Sequence, residues 1–510
     1  MKSRIAVPID RWLAQHGIMR RLLSHEMVAS CYGVFLFLYE LKFFREIIPA
    51  LHPFLIAWAV GVLLYDFLCR PWWEKCSSWM LIKGFAISAL LAAVICKDAG
   101  LIRNIKTWIL SVLPLMTFFP VCFLEKENER KDMLIKVLFG SAVIIFFASF
   151  ISVMLYLYHY GAHIELFGIR EYVGLSLYDR NNSNSGLVLY GVYCDSNHAA
   201  LYALAFAGYG AILFDMGRRG SFTGWKNAAA MAFGCSSFAV QMCFFPLANS
   251  RGAWLCLGVA GFLVALLLWR TRINKSLMLR TGIAFLLSLV TVVGVIGCLL
   301  GVREGMSRLS KTVISARIDQ NEIEKPSNES GKEKTDSAMW PWDVENELDE
   351  TRAWDSFNKP NERLGAGRID LWKEALALFL HRPILGTGGE NAAFYANYYG
   401  IGGMLAEGKS IHNSYLDLLV GYGTVGFAML MSFFAVCFWK TLKNMLNGDY
   451  QESTAYCIVA MITLLMAGGA ALLSCAFINT TAIYYILLIL CGYLLPVSAR
   501  ERRKDIESGI

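Results

Sequence analysis

"AFLLSLVTVVGVIGCLL", Ala284 to Leu300, runs for 17 residues without a charge and with only Ser288 and Thr291 polar. A helix needs about 20 mostly apolar residues to cross the hydrocarbon core of a bilayer, and Gly282, Ile283 and Gly301 bring this run to that length. Ile458 to Phe477 repeats the pattern. Across all 510 residues the chain is 56% hydrophobic with a mean hydropathy of +0.46, too apolar for an ordinary soluble enzyme.

Apolar windows between charged breaks begin near Met27, Leu51, Trp79, Trp108, Leu134, Ala199, Ala228, Ala253, Gly282, Ile411, Tyr456 and Ala482. The expected fold is therefore an all-α polytopic membrane protein of about 12 transmembrane helices. Its expected parts are a cytoplasmic segment over 1–26, transmembrane helices over 27–301, a large extracytoplasmic loop over 302–410, further transmembrane helices over 411–498 and a cytoplasmic tail over 499–510. The basic N-terminus has no apolar stretch leading to a small-residue cleavage site, so it reads as no cleaved signal peptide. The first span is short and carries Glu40, a charge that leaves the helix count open by one. With both ends inside, cytoplasmic segments hold 25 Lys and Arg against 8 in the short outer loops, which turns the long loop outward. Most of the 14 cysteines fall inside apolar runs, without the spacing of a disulfide framework or a zinc site.

The loop has two halves. Residues 319–355 are acidic with few aliphatics and read as a solvated insert, the alternative being a divalent cation site on Asp343, Glu345 and Glu347. "SAMWPWD" within it has tryptophans suited to a membrane interface. "GRIDLWKEALALFLHRP", Gly367 to Pro383, then sets Ile369, Trp372, Ala375, Leu376, Phe379 and Leu380 at helical spacing. That predicts a helix lying along the membrane surface. "GTGG", Gly386 to Gly389, fits either a turn or an anion nest.

Four stretches in order resemble the O-antigen ligase and O-antigen polymerase superfamily of bacterial membrane glycan transferases. They are "GVYCDSNHAALYALAF" (Gly191 to Phe206), "ANSRGAWL" (Ala248 to Leu255), "GRIDLWKEALALFLHRPILGTGG" (Gly367 to Gly389) and "HNSYLDLLVGYGTVGF" (His412 to Phe427). The resemblance implies a GT-C-like bundle in the bacterial cytoplasmic (inner) membrane. It implies a donor glycan on undecaprenyl pyrophosphate, an acceptor hydroxyl on a glycan, a lipid core or a protein, and surrounding membrane lipid. No nucleic acid, cofactor or metal is expected. The family's two arginines and one histidine carry over to Arg251 and Arg368, binding the donor pyrophosphate, and His412. Asp195-Ser196-Asn197 departs from the commoner Asp/Asn-Pro-Asn, and the acidic insert lengthens the main loop.

The residue chemistry is compatible with those roles. Breaking the anomeric bond leaves negative charge on phosphate, which a guanidinium meets with paired hydrogen bonds. Arg251 lies in a short connection between apolar runs, where a charge is costly; the alternative is an arginine reaching lipid headgroups. Arg368 starts the loop helix four residues before Trp372, so the two share a face; Lys373 and Arg382 are weaker cations for the same task. His412 has the pKa range of a base for the acceptor hydroxyl, against a bland role at a helix end. Asn413, Asn197, Asp195 and Trp372 are supporting or acceptor-binding candidates, the first three being helix caps on the alternative reading. A His198 and His412 metal pair lacks a third ligand, and no Asp-x-Asp or Walker-type loop points to a nucleotide donor. A transporter or flippase of lipid-linked glycans would also use many spans, and a non-catalytic scaffold is the third possibility.

Overall fold

In the computed structural model the residues described are 17–69, 71–76, 78–126, 129–158, 160–166, 168–176, 188–248, 250–273, 277–323, 366–447, 453–471 and 481–495. The N-terminal segment to residue 16, most of the acidic insert with its candidate cation site, and the C-terminal tail lie outside them.

The principal helices are α1 (His25–Tyr39), α2 (His52–Cys69), α3 (Trp79–Ile95), α4 (Leu101–Phe118) and α5 (Arg130–Leu157). After them come α6 (Ser196–Arg218), α7 (Trp225–Leu247), α8 (Arg251–Arg272) and α9 (Leu277–Ile323). The last five are α10 (Ala366–His381), α11 (Ala392–Tyr398), α12 (Ser414–Asn447), α13 (Ser453–Ala471) and α14 (Ala482–Leu494). Among the described residues, 8 helices are long and apolar enough to cross a membrane, and Trp79–Ile95, Thr454–Gly469 and Ala482–Leu494 are apolar but shorter. Side-chain caps start several of them. Ser24 accepts from the Met27 amide, Asp195 from those of Asn197 and His198, Ser250 from that of Ala253, and Thr481 from that of Tyr484.

The bundle packs around α14, nearly all of whose side chains are buried, including Tyr484 and Tyr485. Close approach elsewhere depends on small residues. A Cβ on Gly210 of α6 would lie 2.8 Å from the Gly234 carbonyl oxygen of α7, so the two backbones meet where neither has a side chain.

Two features depart from a purely helical bundle with a loop beginning at 302. A three-stranded antiparallel sheet, β1 (Gly161–Leu166), β2 (Ile169–Ser176) and β3 (Val188–Gly191), joins α5 to α6. The fold is thus not all-α. "GAHIEL" and "IREYVGLS" alternate only briefly, and hydropathy windows tuned to spans pass over them. The apolar stretch that opened the sequence reading lies in α9, which continues well beyond Gly301 to Ile323.

Residues 366–420 build a second, smaller core from Leu371, Ala375, Leu378, Tyr395, Ala396, Leu405, Ile411 and Val420, closed by Cys96 at the end of α3. Leu371 and Leu378 therefore face inward, while Ile369, Leu376 and Leu380 of the expected apolar face are exposed. Because α10 is apolar on nearly every side between Leu371 and Leu380, periodicity alone could not choose its packed face.

This lobe is locked to α12 at a break in the helix. Gly423 adopts φ 64°, and the freed amides of Thr424 and Val425 donate to the carbonyls of Pro383 (2.8 Å) and Ile384 (3.2 Å). In return the amides of Thr387, Gly388 and Gly389 donate to the carbonyls of Val420 and Gly421. Asn391 fastens the same turn to α4 by donating to Asn104 Oδ1 at 2.7 Å.

Candidate functional site

His412 sits between the lobe and α12, and its backbone is unusual. With φ 53° it is the one non-glycine residue in the left-handed region among those described, a conformation costing about 1–3 kcal/mol that tends to persist at functional sites. Both neighbours hold it there. Asn413 Oδ1 accepts from the amides of Tyr415 (3.1 Å) and Leu416 (3.2 Å), capping α12, and the Trp372 indole N–H donates to the Ile411 carbonyl at 3.0 Å.

The ring is exposed, and the charges of Arg368, Asp195 and His198 all bear on it. Partial withdrawal from water and then the nearby Arg368 guanidinium pull its pKa below the ordinary histidine value; His198 acts in the same direction and Asp195 against it. The imidazole is consequently neutral, and able to accept a proton, over more of the physiological range. Arg368 is half-buried in the first turn of α10, one turn before Trp372. A single short helix thus carries both the cation that influences His412 and the indole that fixes its backbone.

The second arm comes from α6. Asp195 Oδ1 is occupied as the helix cap, accepting from Asn197 at 2.6 Å and His198 at 3.2 Å. Asn197 Oδ1 accepts from Ser250 Oγ at 2.8 Å, and Ser250 in turn caps α8, whose first residue is Arg251. Asn197 therefore positions the start of the helix that Arg251 opens. The Arg251 side chain lies outside the described atoms.

Glu40, a puzzle in the sequence, belongs to the same region. It ends α1, its Oε1 accepts from Tyr202 Oη at 2.6 Å, and its Oε2 lies 3.6 Å from His198 Nδ1. Backbone pairing delivers it there: the Cys194 amide donates to the Glu40 carbonyl at 3.0 Å, the Lys42 amide to the Val192 carbonyl at 3.1 Å, and Leu41 bridges Tyr193. A carboxylate at the end of an apolar run was the available signal.

The weaker sequence candidates are engaged elsewhere. Lys373 pairs with Asp370 on an exposed surface. Arg382 donates to Tyr399 Oη (2.9 Å), contacts Cys96 Sγ and lies 4.1 Å from the Tyr395 ring centre, a joint between lobe and bundle. The Gly386–Gly389 turn is no anion nest, because the amides of Thr387, Gly388 and Gly389 are spent on α12 carbonyls. Among the described residues, no group of three or more His, Cys, Asp or Glu is arranged to hold a metal ion.

The arrangement brings together an exposed histidine, an arginine whose charge bears on it, a half-buried carboxylate and a second histidine. Residues 236–431 match a protein-family model described as O-antigen ligase, a stretch that contains Arg251, Arg368 and His412. No curated protein matches the chain.

Proposed function

We propose, on the premise that residues 236–431 belong to the O-antigen ligase family, that this multi-pass inner-membrane protein moves a glycan from a lipid pyrophosphate to an acceptor hydroxyl. The observation that carries the reading is His412: a histidine with a left-handed backbone at the junction of the lobe and the bundle, its pKa drawn below the ordinary value by partial withdrawal from water and by Arg368.

In the proposed reaction the acceptor oxygen attacks the anomeric carbon while His412 takes its proton. The bond from that carbon to the undecaprenyl pyrophosphate oxygen breaks, and the electron pair leaves with the phosphate. Arg368 and Arg251 bind the donor pyrophosphate and offset that charge, as guanidinium groups do for phosphates. Pyrophosphate is a good leaving group, and on that ground the step is proposed to need no metal. Asn413 and Asp195 act as caps, and Asn197 and Trp372 hold Arg251 and His412 in place.

The bundle is proposed to have twelve spans, made of the eight long helices, the three shorter apolar ones and α1. Both termini are placed in the cytoplasm, so that the site faces outward, in line with the basic charge gathered in the opposite loops. The break at Gly423 supports no transport path, because Pro383 to Gly389 fill it.

The test is surface glycan in cells whose only copy is His412→Ala, Arg368→Ala or Arg251→Ala. Each should lose it while the protein still reaches the membrane. Full glycan in all three overturns the reading. Purified wild type should turn over a synthetic undecaprenyl-pyrophosphate glycan in excess EDTA, and chelator-sensitive turnover would reject the metal-free step.

A further inference from the structure

His198 is accounted for neither by helix capping nor by the roles of Arg251, Arg368 and His412. Its Nδ1 faces Glu40 Oε2 at 3.6 Å, an ion-pair distance, whereas its Nε2 has no hydrogen-bond partner among the described residues. A proton on Nδ1 turns that contact from lone-pair repulsion into attraction, and the carboxylate then favours this orientation of the ring. Tyr202 holds the other carboxylate oxygen, which keeps Glu40 from swinging away. The ring is 30% exposed, and its charge bears on His412, the proposed base. Asp195 and Arg45 also bear on it, with opposite sign.

The geometry points to a second proton-handling group: Glu40 and His198 form an ion-paired dyad in which His198 Nε2–H donates to the departing phosphate of the donor lipid, and Glu40 is its positioning residue. This rests on the transferase reading above and assigns the leaving-group side of the same reaction. As the anomeric carbon–oxygen bond breaks, its electron pair goes to the phosphate oxygen and the Nε2 proton moves to that oxygen. His412 gains the proton of the acceptor hydroxyl. Exchange with water afterwards restores a protonated His198 and a neutral His412, so no external reactant is needed. The two histidines divide one reaction, each held by a different neighbour: Arg368 for His412 and Glu40 for His198.

The experiment uses membranes from cells in which His198→Gln, Glu40→Gln, Glu40→Asp, the double variant or His412→Ala replaces the wild type. Their own acceptor and added radiolabelled undecaprenyl-pyrophosphate glycan provide the assay. His198→Gln should lower kcat by at least about tenfold with a smaller change in KM, since the proton is donated only as the bond breaks. Glu40→Gln should lose a comparable factor, Glu40→Asp should recover part of it, and the double variant should be no worse than His198→Gln alone. Full kcat in His198→Gln, or fully multiplicative losses in the double variant, overturns the dyad. If Glu40→Gln fails to reach the membrane, His198→Gln alone decides, because its part-exposed ring has no other described hydrogen-bond partner. A dead His412→Ala beside active His198→Gln discards this inference only; an active His412→Ala discards the assignment of the base beneath it.

Discussion

The indole N–H of Trp372 donates to the carbonyl of Ile411 at 3.0 Å, one peptide before the left-handed His412. The bond spans 39 residues of sequence and joins the lobe helix to the start of α12. Trp372→Phe keeps the packing and removes the donor, a loss of about 1 kcal/mol. The expected result is a kcat several-fold lower with nearly unchanged thermal unfolding in detergent. Unchanged kcat would mean that Asn413 alone holds His412 in place.

A base acts only when unprotonated, so activity is lost as pH falls through its pKa. Because partial burial and Arg368 depress that of His412, the acid limb of kcat/KM for the wild type should lie below the ordinary histidine value of about 6.5. Removing the guanidinium with Arg368→Gln should move that limb to higher pH in whatever activity survives. A limb that stays in place would separate Arg368 from the base electrostatically.

Ser250→Ala should raise the donor KM more than it lowers kcat. The substitution removes the cap of α8 and the donor to Asn197 together, at about 1–2 kcal/mol, and the first residue of that helix is Arg251. Asn197→Ala should show the same direction of change. Equal effects on kcat and KM would place Ser250 in the chemistry instead of in positioning.

At Gly423 an added Cβ would stand 2.3 Å from the Ile384 carbonyl oxygen at a φ of 64°. Gly423→Ala should therefore destabilise the protein by roughly 2–4 kcal/mol and lower its unfolding midpoint in detergent. Gly261→Ala, whose Cβ would meet only Val292 at 3.6 Å, is the control and should leave the midpoint within experimental scatter.

Much of this was legible in the residues, for identifiable reasons. Long apolar runs declare themselves by length, and ten of the twelve expected starts fall inside helices, with Leu51 and Ile411 within three residues of one. Asp195 and Asn413 read as caps or as ligands, and in the structure each caps its helix. What stayed hidden depends on distant pairing. The packed face of α10 is chosen by Cys96 and Val420, and the sheet needs β1, β2 and β3 together. The partner of Glu40 lies 158 positions away at His198, beyond any local pattern.

The strand-like pairing of Leu41 and Lys42 with Val192 and Tyr193 has a consequence for synthesis. Glu40 emerges from the ribosome early, and His412 follows it by about 20–70 s at 5–20 residues per second. The first helix waits for part of that interval, until residues 192–193 can pair with it, and a nascent chain halted before position 412 holds Glu40 and His198 without His412. On the proposed transferase reading, such a chain gains its base only when translation is nearly over.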